Sequence, residues 1–185
     1  MVETNVSSAI GAERIVSTHT ATAVAFNPLA WKFNILVDYS SSMLKAVRPG
    51  CSRHTQAKEL VVGLVAELNS LGVPEVDIYR FNNGECARVP GVKKTEEAEA
   101  ALAYRVVGGT PLDLALDVAF STVGGDQKNA YVVLLDGRPD SKEETERVLV
   151  NYTNTLQSSD EALIMFVQIG DEAEAYDWLK TGLDE

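Results

Sequence analysis

Histidine and cysteine are nearly absent, with two of each in 185 residues. Cys51 and Cys86 make neither a disulfide framework nor a cysteine-rich zinc site. Both read as reduced thiols of an intracellular protein. His19 and His54 leave little neutral-pH base for acid–base catalysis, and His54, beside the first helix start, reads as a surface or capping residue. No apolar run reaches the roughly 18 residues that a membrane-spanning helix needs. The opening stretch MVETNVSSAIGAERIVST lacks the apolar segment of a secretory signal, so a cytoplasmic location is expected, with a virion-associated one as its variant. Cations are also scarce: 16 Lys and Arg stand against 27 Asp and Glu, a formal charge of -11. Such a surface repels nucleic acid and anionic membrane, and neither is expected as a partner. The sequence contains no Gly-x-x-x-x-Gly-Lys phosphate loop and no Gly-x-Ser-x-Gly elbow, which removes two large enzyme classes.

What is present is an ordinary globular composition, 45% hydrophobic, long enough for one domain with a real core. Residues 1–28, rich in Ser, Thr, Ala and Val, read as an N-terminal extension or arm. Residues 29–185 read as the folded domain. FNILVD (33–38) is a buried strand. Leu60, Val61, Leu64, Val65 and Leu68 fall at helical spacing, which predicts a helix over 52–72 that stops at Gly72. EVDIYRF (75–81) alternates as a strand, NNGE turns, and CARV (86–89) returns antiparallel. A short helix over 94–105 follows, with Thr95 as its cap. A loop and helix follow over 108–123, then a strand over 130–137, a helix over 140–157, an apolar strand from 162 and a helix over 171–183. Alternating strands and helices predict an α/β fold of three layers. Its central sheet is mostly parallel, with one antiparallel edge strand and helices on both faces.

Two of these strands end in a carboxylate, Asp38 in NILVDYSSSM and Asp136 in VVLLDGRP. In open parallel sheets, ligands bind beyond the carboxyl ends of the strands. If these two strands are neighbours, Asp38, Ser40, Ser42 and Asp136 converge with Thr110, which follows a flexible Gly pair. The set is oxygen only, without His or Cys nearby. Hard oxygen donors suit Mg²⁺ or Mn²⁺, and Ca²⁺ less tightly. Each residue also has a plainer reading. Thr110, Pro111 and Asp113 fit a helix start with Thr as cap and Pro at the first helical position. The serines suit a turn, and Asp136-Gly137 suits a strand end.

Asp-x-Ser-x-Ser at 38–42, Thr110 in GGTPL and Asp136 in LLDGRP, in this order and context, resemble the metal-ion-dependent adhesion site of von Willebrand factor type A (vWA) domains. The resemblance covers residues 31 to about 181 and points to a Rossmann-like, intracellular-type member. It implies that Ser40 and Ser42 coordinate the ion through their hydroxyls, and that Thr110 binds directly in the ligand-competent state. It also implies that Asp38 and Asp136 act mostly through water. Two positions depart from the pattern: Leu135 stands where Thr is usual, and Ser41 where Gly is frequent. The chain is also short at its C-terminal end relative to the family, which puts a piston-like switch in doubt.

Neutral hydroxyls and waters leave a bound cation electron-poor, so its open position favours an anionic ligand. The expected function is metal-dependent protein–protein binding, with a partner Asp or Glu completing the shell. Arg138, Asp140, Asn82 and Asn83 are expected on loops of the same face, where they would tune partner choice. One alternative is a structural subunit of a larger assembly, virion or phage-encoded, with a vestigial or stabilising site. A Mg²⁺-dependent hydrolase is the remote alternative. The strand 162–169 is expected at a sheet edge, open to pairing with another chain or covered by residues 15–26.

Overall fold

The computed structural model describes residues 27–122 and 128–170. The helix expected over 171–183 lies outside them, as do residues 1–26 of the arm expected over 1–28.

The chain enters through a one-turn 3-10 helix at Pro28–Ala30, where Asn27 caps Leu29 N. It then runs into β1, Trp31–Asp38. A short turn leads to β2 (Ala46–Arg48) and β3 (Cys51–Ser52), a small antiparallel ribbon absent from the sequence reading. Helix α1 spans Arg53–Ser70 and starts on the Ser52 hydroxyl, which accepts from Thr55 N at 3.1 Å. It ends at Leu71, with Gly72 at φ +85, a left-handed terminator. Strands β4 (Val76–Asn82) and β5 (Glu85–Val92) form a hairpin. Helix α2 spans Thr95–Ala101. Thr95 is its first residue and Lys94 its cap, without a side-chain bond, so the expected threonine cap does not form. Helix α3 (Leu112–Ser121), β6 (Lys128–Leu135), α4 (Lys142–Thr153) and β7 (Ala162–Gln168) complete the order.

The five long strands form one sheet in the order β5-β4-β1-β6-β7, parallel except for the antiparallel β5. Successive strand residues point to opposite faces, and the two cores follow from that alternation. Ile35, Val37 and Ile78 pack under Ala57, Val61 and Val65 of α1 and Ala98 of α2. Leu36, Tyr79, Tyr131 and Val133 pack under Leu112 and Leu116 of α3 and Val148 of α4. From Phe33 to Asp38 β1 is buried on both faces, and Ile35, Leu36 and Val37 follow one another as an apolar run. Pro90 is tolerated because β5 is an edge strand, and a register shift opposite Val76–Ile78 accommodates it. β7 is the last strand on the other side among the described residues, and it exposes the side chains of Leu163 and Met165. No described helix is long and apolar enough to cross a membrane.

Candidate metal centre

From β1 the chain passes through α1 to β4 on one side. β6 lies on the other side of β1. The winding direction therefore reverses between β1 and β6, and their carboxyl ends open a crevice there. Asp38 closes β1, and Asp136 follows the last residue of β6. The expected strand over 130–137 is shorter at this end, which leaves Asp136 and Gly137 on the rim.

Both carboxylates are buried. Asp38 Oδ1 accepts from Ser40 N at 2.7 Å, while Oδ2 has no hydrogen-bond partner among the described residues. Burial pushes the Asp38 carboxyl up to about 7, against the pull of the Ser40 hydrogen bonds and helped by the nearby charges of Asp136 and Asp140. A turn of 3-10 helix at Ser41–Leu44 brings the serine hydroxyls back over the strand end. Ser40 Oγ and Ser42 Oγ are 2.9 Å apart, and Ser42 Oγ donates to Asp136 Oδ1 at 2.7 Å. Sequence-distant Asp38, Ser40, Ser42 and Asp136 thus form one connected oxygen cluster.

Thr110 reaches the rim by another route. Its backbone and the side chain of Asp140 form a ring: Thr110 N donates to Asp140 Oδ1 at 2.9 Å, and Asp140 N donates to Thr110 O at 2.9 Å. The Thr110 cap is corrected here, because α3 starts at Leu112 with Pro111 as its cap and no side-chain capping bond. The threonine is buried and not committed to the helix end. The loop before it is pinned to the serine loop twice: Ser41 N donates to Gly108 O at 2.9 Å, and Gly108 N donates to Ser41 Oγ at 2.9 Å. Ser41, where the resembling family often has Gly, supplies an interloop clasp. The Gly pair is required by space: a Cβ on Gly108 would lie 2.4 Å from Asn83 Cβ, and one on Gly109 2.6 Å from Asp140 Oδ2.

The expected partner-tuning loops divide differently. Asp140 holds Thr110, and Asn82 is buried, donating to Arg105 O at 2.9 Å, so both serve the scaffold. Arg138 is exposed. His54 is neither cap nor freely solvated. Its ring packs edge-on to Tyr39 at 4.9 Å, and burial lowers its basicity.

Arg53 was not anticipated by the sequence reading. Its buried guanidinium donates from Nη1 to Asp136 Oδ2 at 2.9 Å. One sequence signal was available: a cation at the first residue of a helix opposes the helix dipole, so it needs an anion elsewhere. No group of three or more His, Cys, Asp or Glu placed to hold a metal ion occurs among the described residues. The connected cluster is two carboxylates with two serine hydroxyls, and Thr110 stands on the loop that Gly108 ties to Ser41.

No family model matches the chain, and no curated protein is similar to it in sequence. Solved structures are similar in fold. A variant of the PilB minor pilin of Streptococcus sanguinis superposes with a TM-score of 0.64 at 10% identity, over 83% of this chain and 54% of that one. The manganese-loaded TRAP protein of Plasmodium vivax gives 0.57 at 15% identity, over 80% and 61%. The VWA domain of SpRpn10 gives 0.52 at 9% identity, over 81% and 94%. This chain therefore spans little more than half the length of the first two. The fold is that of a von Willebrand factor type A domain, a Rossmann-like α/β sandwich.

Proposed function

We propose that the chain is a non-enzymatic, intracellular protein-binding module in which Asp38, Ser40, Ser42, Thr110 and Asp136 hold one divalent cation, Mg²⁺ or Mn²⁺ before Ca²⁺. The observation that carries this reading is the buried Asp38 Oδ2, without a hydrogen-bond partner among the described residues, at the switch point of the sheet. An unpaired buried carboxylate is costly, and a cation offsets that cost. The donor set fits a hard ion, being oxygen only and low in charge. The manganese-loaded state of TRAP supports a divalent ion on this fold. When bound, the ion supplies an open position for a partner's Asp or Glu carboxylate. The chain's own residues orient the donors. The Ser41 clasp fixes the serine loop, Asp140 fixes Thr110, and Ser42 links to Asp136.

A second reading, a subunit of a larger assembly, has one observation in its favour: the exposed side chains of Leu163 and Met165 on β7. Titration with Mg²⁺ and Mn²⁺, followed by calorimetry and thermal unfolding, separates the two. At about a hundredfold over Kd the ion is expected to stabilise the fold by about 2.7 kcal/mol, a rise in Tm of about 5–10 °C. Asp38→Ala and Ser42→Ala are expected to abolish that rise. A parent chain that neither binds nor shifts sinks the metal reading and leaves the assembly reading.

A further inference from the structure

Arg53 is the charged group that the metal reading leaves unexplained. It opens α1, yet its side chain turns into the rim and is 5% exposed. The chain end of β7 closes over it: at Gly170, φ +86, a Cβ would lie 2.7 Å from Arg53 Nε and 3.2 Å from Cζ. Three elements therefore enclose one guanidinium, namely the start of α1, the end of β6 and the end of β7. Ordering a long side chain at an unfavourable helix position has a cost that something must offset. Asp136 does so by dividing its two oxygens. Oδ2 accepts from Arg53, and Oδ1 accepts from Ser42. Of the two rim carboxylates, Asp136 is thus held and neutralised, while Asp38 keeps an unpaired oxygen.

We infer that Arg53 is a built-in counter-cation that holds Asp136 in place and lowers the rim's affinity for a divalent ion. The inference rests on the metal-binding reading. Arg53 acts through Asp136 and is a positioning residue, not a ligand. It preorganises the rim without metal, while its positive charge opposes the arriving ion.

Calorimetric Mg²⁺ titration of the parent, R53Q, R53K and R88Q tests this, together with their metal-free Tm. Removing the opposing charge in R53Q is expected to tighten Mg²⁺ binding by about tenfold or more, lower the metal-free Tm and enlarge the Mg²⁺-induced rise. R53K keeps the charge and should bind within about threefold of the parent. R88Q loosens a cation bridge at the opposite end of the sheet, so it should lower Tm and leave Mg²⁺ affinity unchanged. If the parent binds while R53Q binds equally or more weakly, Arg53 is purely structural: the inference falls and the metal reading stands. If neither the parent nor R53Q binds Mg²⁺ or Mn²⁺, the metal reading falls and takes the inference with it. Should R53Q fail to fold, R53K decides, and a change of more than about tenfold in its Mg²⁺ affinity overturns the inference.

Discussion

Two ends of the same sheet each bury an aspartate, and they treat it in opposite ways. At the amino end, Asp77 of β4 is surrounded by donors. Arg88 Nη2 stands at 2.7 Å and Nε at 3.1 Å, Lys32 Nζ at 3.0 Å, and Gly91 N donates to its other oxygen at 2.9 Å. Burial alone would raise its carboxyl, but these donors more than offset it and hold it below the ordinary value. At the carboxyl end, Asp38 has one backbone amide on Oδ1, no partner on Oδ2, and Asp136 and Asp140 as acidic neighbours. Its carboxyl is pushed up to about 7. The same residue type on the same sheet is thus a finished structural anchor at one end and an unfinished one at the other. Burial by itself does not mark function. What distinguishes the Asp38 end is one buried carboxylate oxygen that no donor among the described residues reaches.

The largest test of this contrast is Asp77→Ala. Removing a carboxylate that satisfies two cations and an amide is expected to cost about 3 kcal/mol in urea unfolding, equally with and without metal. A loss that vanishes in Mg²⁺ would mean the two ends are not independent.

Asp38→Asn should act with the opposite sign. It keeps the acceptor for Ser40 N and removes the unpaired charge. At pH 8 in chelator it is expected to stabilise the fold by about 2 kcal/mol while abolishing the response to Mg²⁺. The pH dependence follows from the two shifts. Asp38 binds its proton more tightly folded than unfolded, so its contribution is complete below the ordinary 3.8 and is lost as pH rises to about 7. Asp77 is held below 3.8, so its contribution is present above that value and is lost as pH falls below it. Metal-free stability of Asp38→Asn, followed by chemical unfolding from pH 3 to 8, should lose the first slope and keep the second.

The smallest expected effect belongs to the clasp. Ser41→Gly deletes the hydroxyl that accepts from Gly108 N and frees the loop backbone, at a cost of about 1 kcal/mol. It should weaken Mg²⁺ binding only slightly, because Ser41 orients the rim and is not a donor to the ion. Thermal unfolding with and without Mg²⁺ measures both effects.

Much of the fold was legible because β1 and β6 are nearly continuous apolar runs and α1 carries a clear 3.6-residue period. Errors gathered where local chemistry has two uses. Thr110-Pro111 spells a helix start, yet Asp140 takes the Thr110 backbone and the helix begins one residue after the proline. Thr95 likewise looked like a cap and is the first helical residue. The β2–β3 ribbon is too short and too exposed to leave a hydrophobic pattern. The five oxygen-bearing residues were readable as types at strand ends and after a Gly pair. The partner of Arg53 was not, because it lies 83 positions away in sequence.

By itself, the sequence determined the period of each element, the apolar faces that the sheet and helices had to bury, and the oxygen-only chemistry available at two strand ends. Those are local properties, set by side-chain type and spacing. Only the tertiary structure decided that β1 and β6 are neighbours, that Arg53 pairs with Asp136 while Asp38 Oδ2 has no partner among the described residues, and that Ser41 ties two loops together. Those outcomes depend on which distant segments the packed core brings within hydrogen-bond range, and no local pattern encodes that distance.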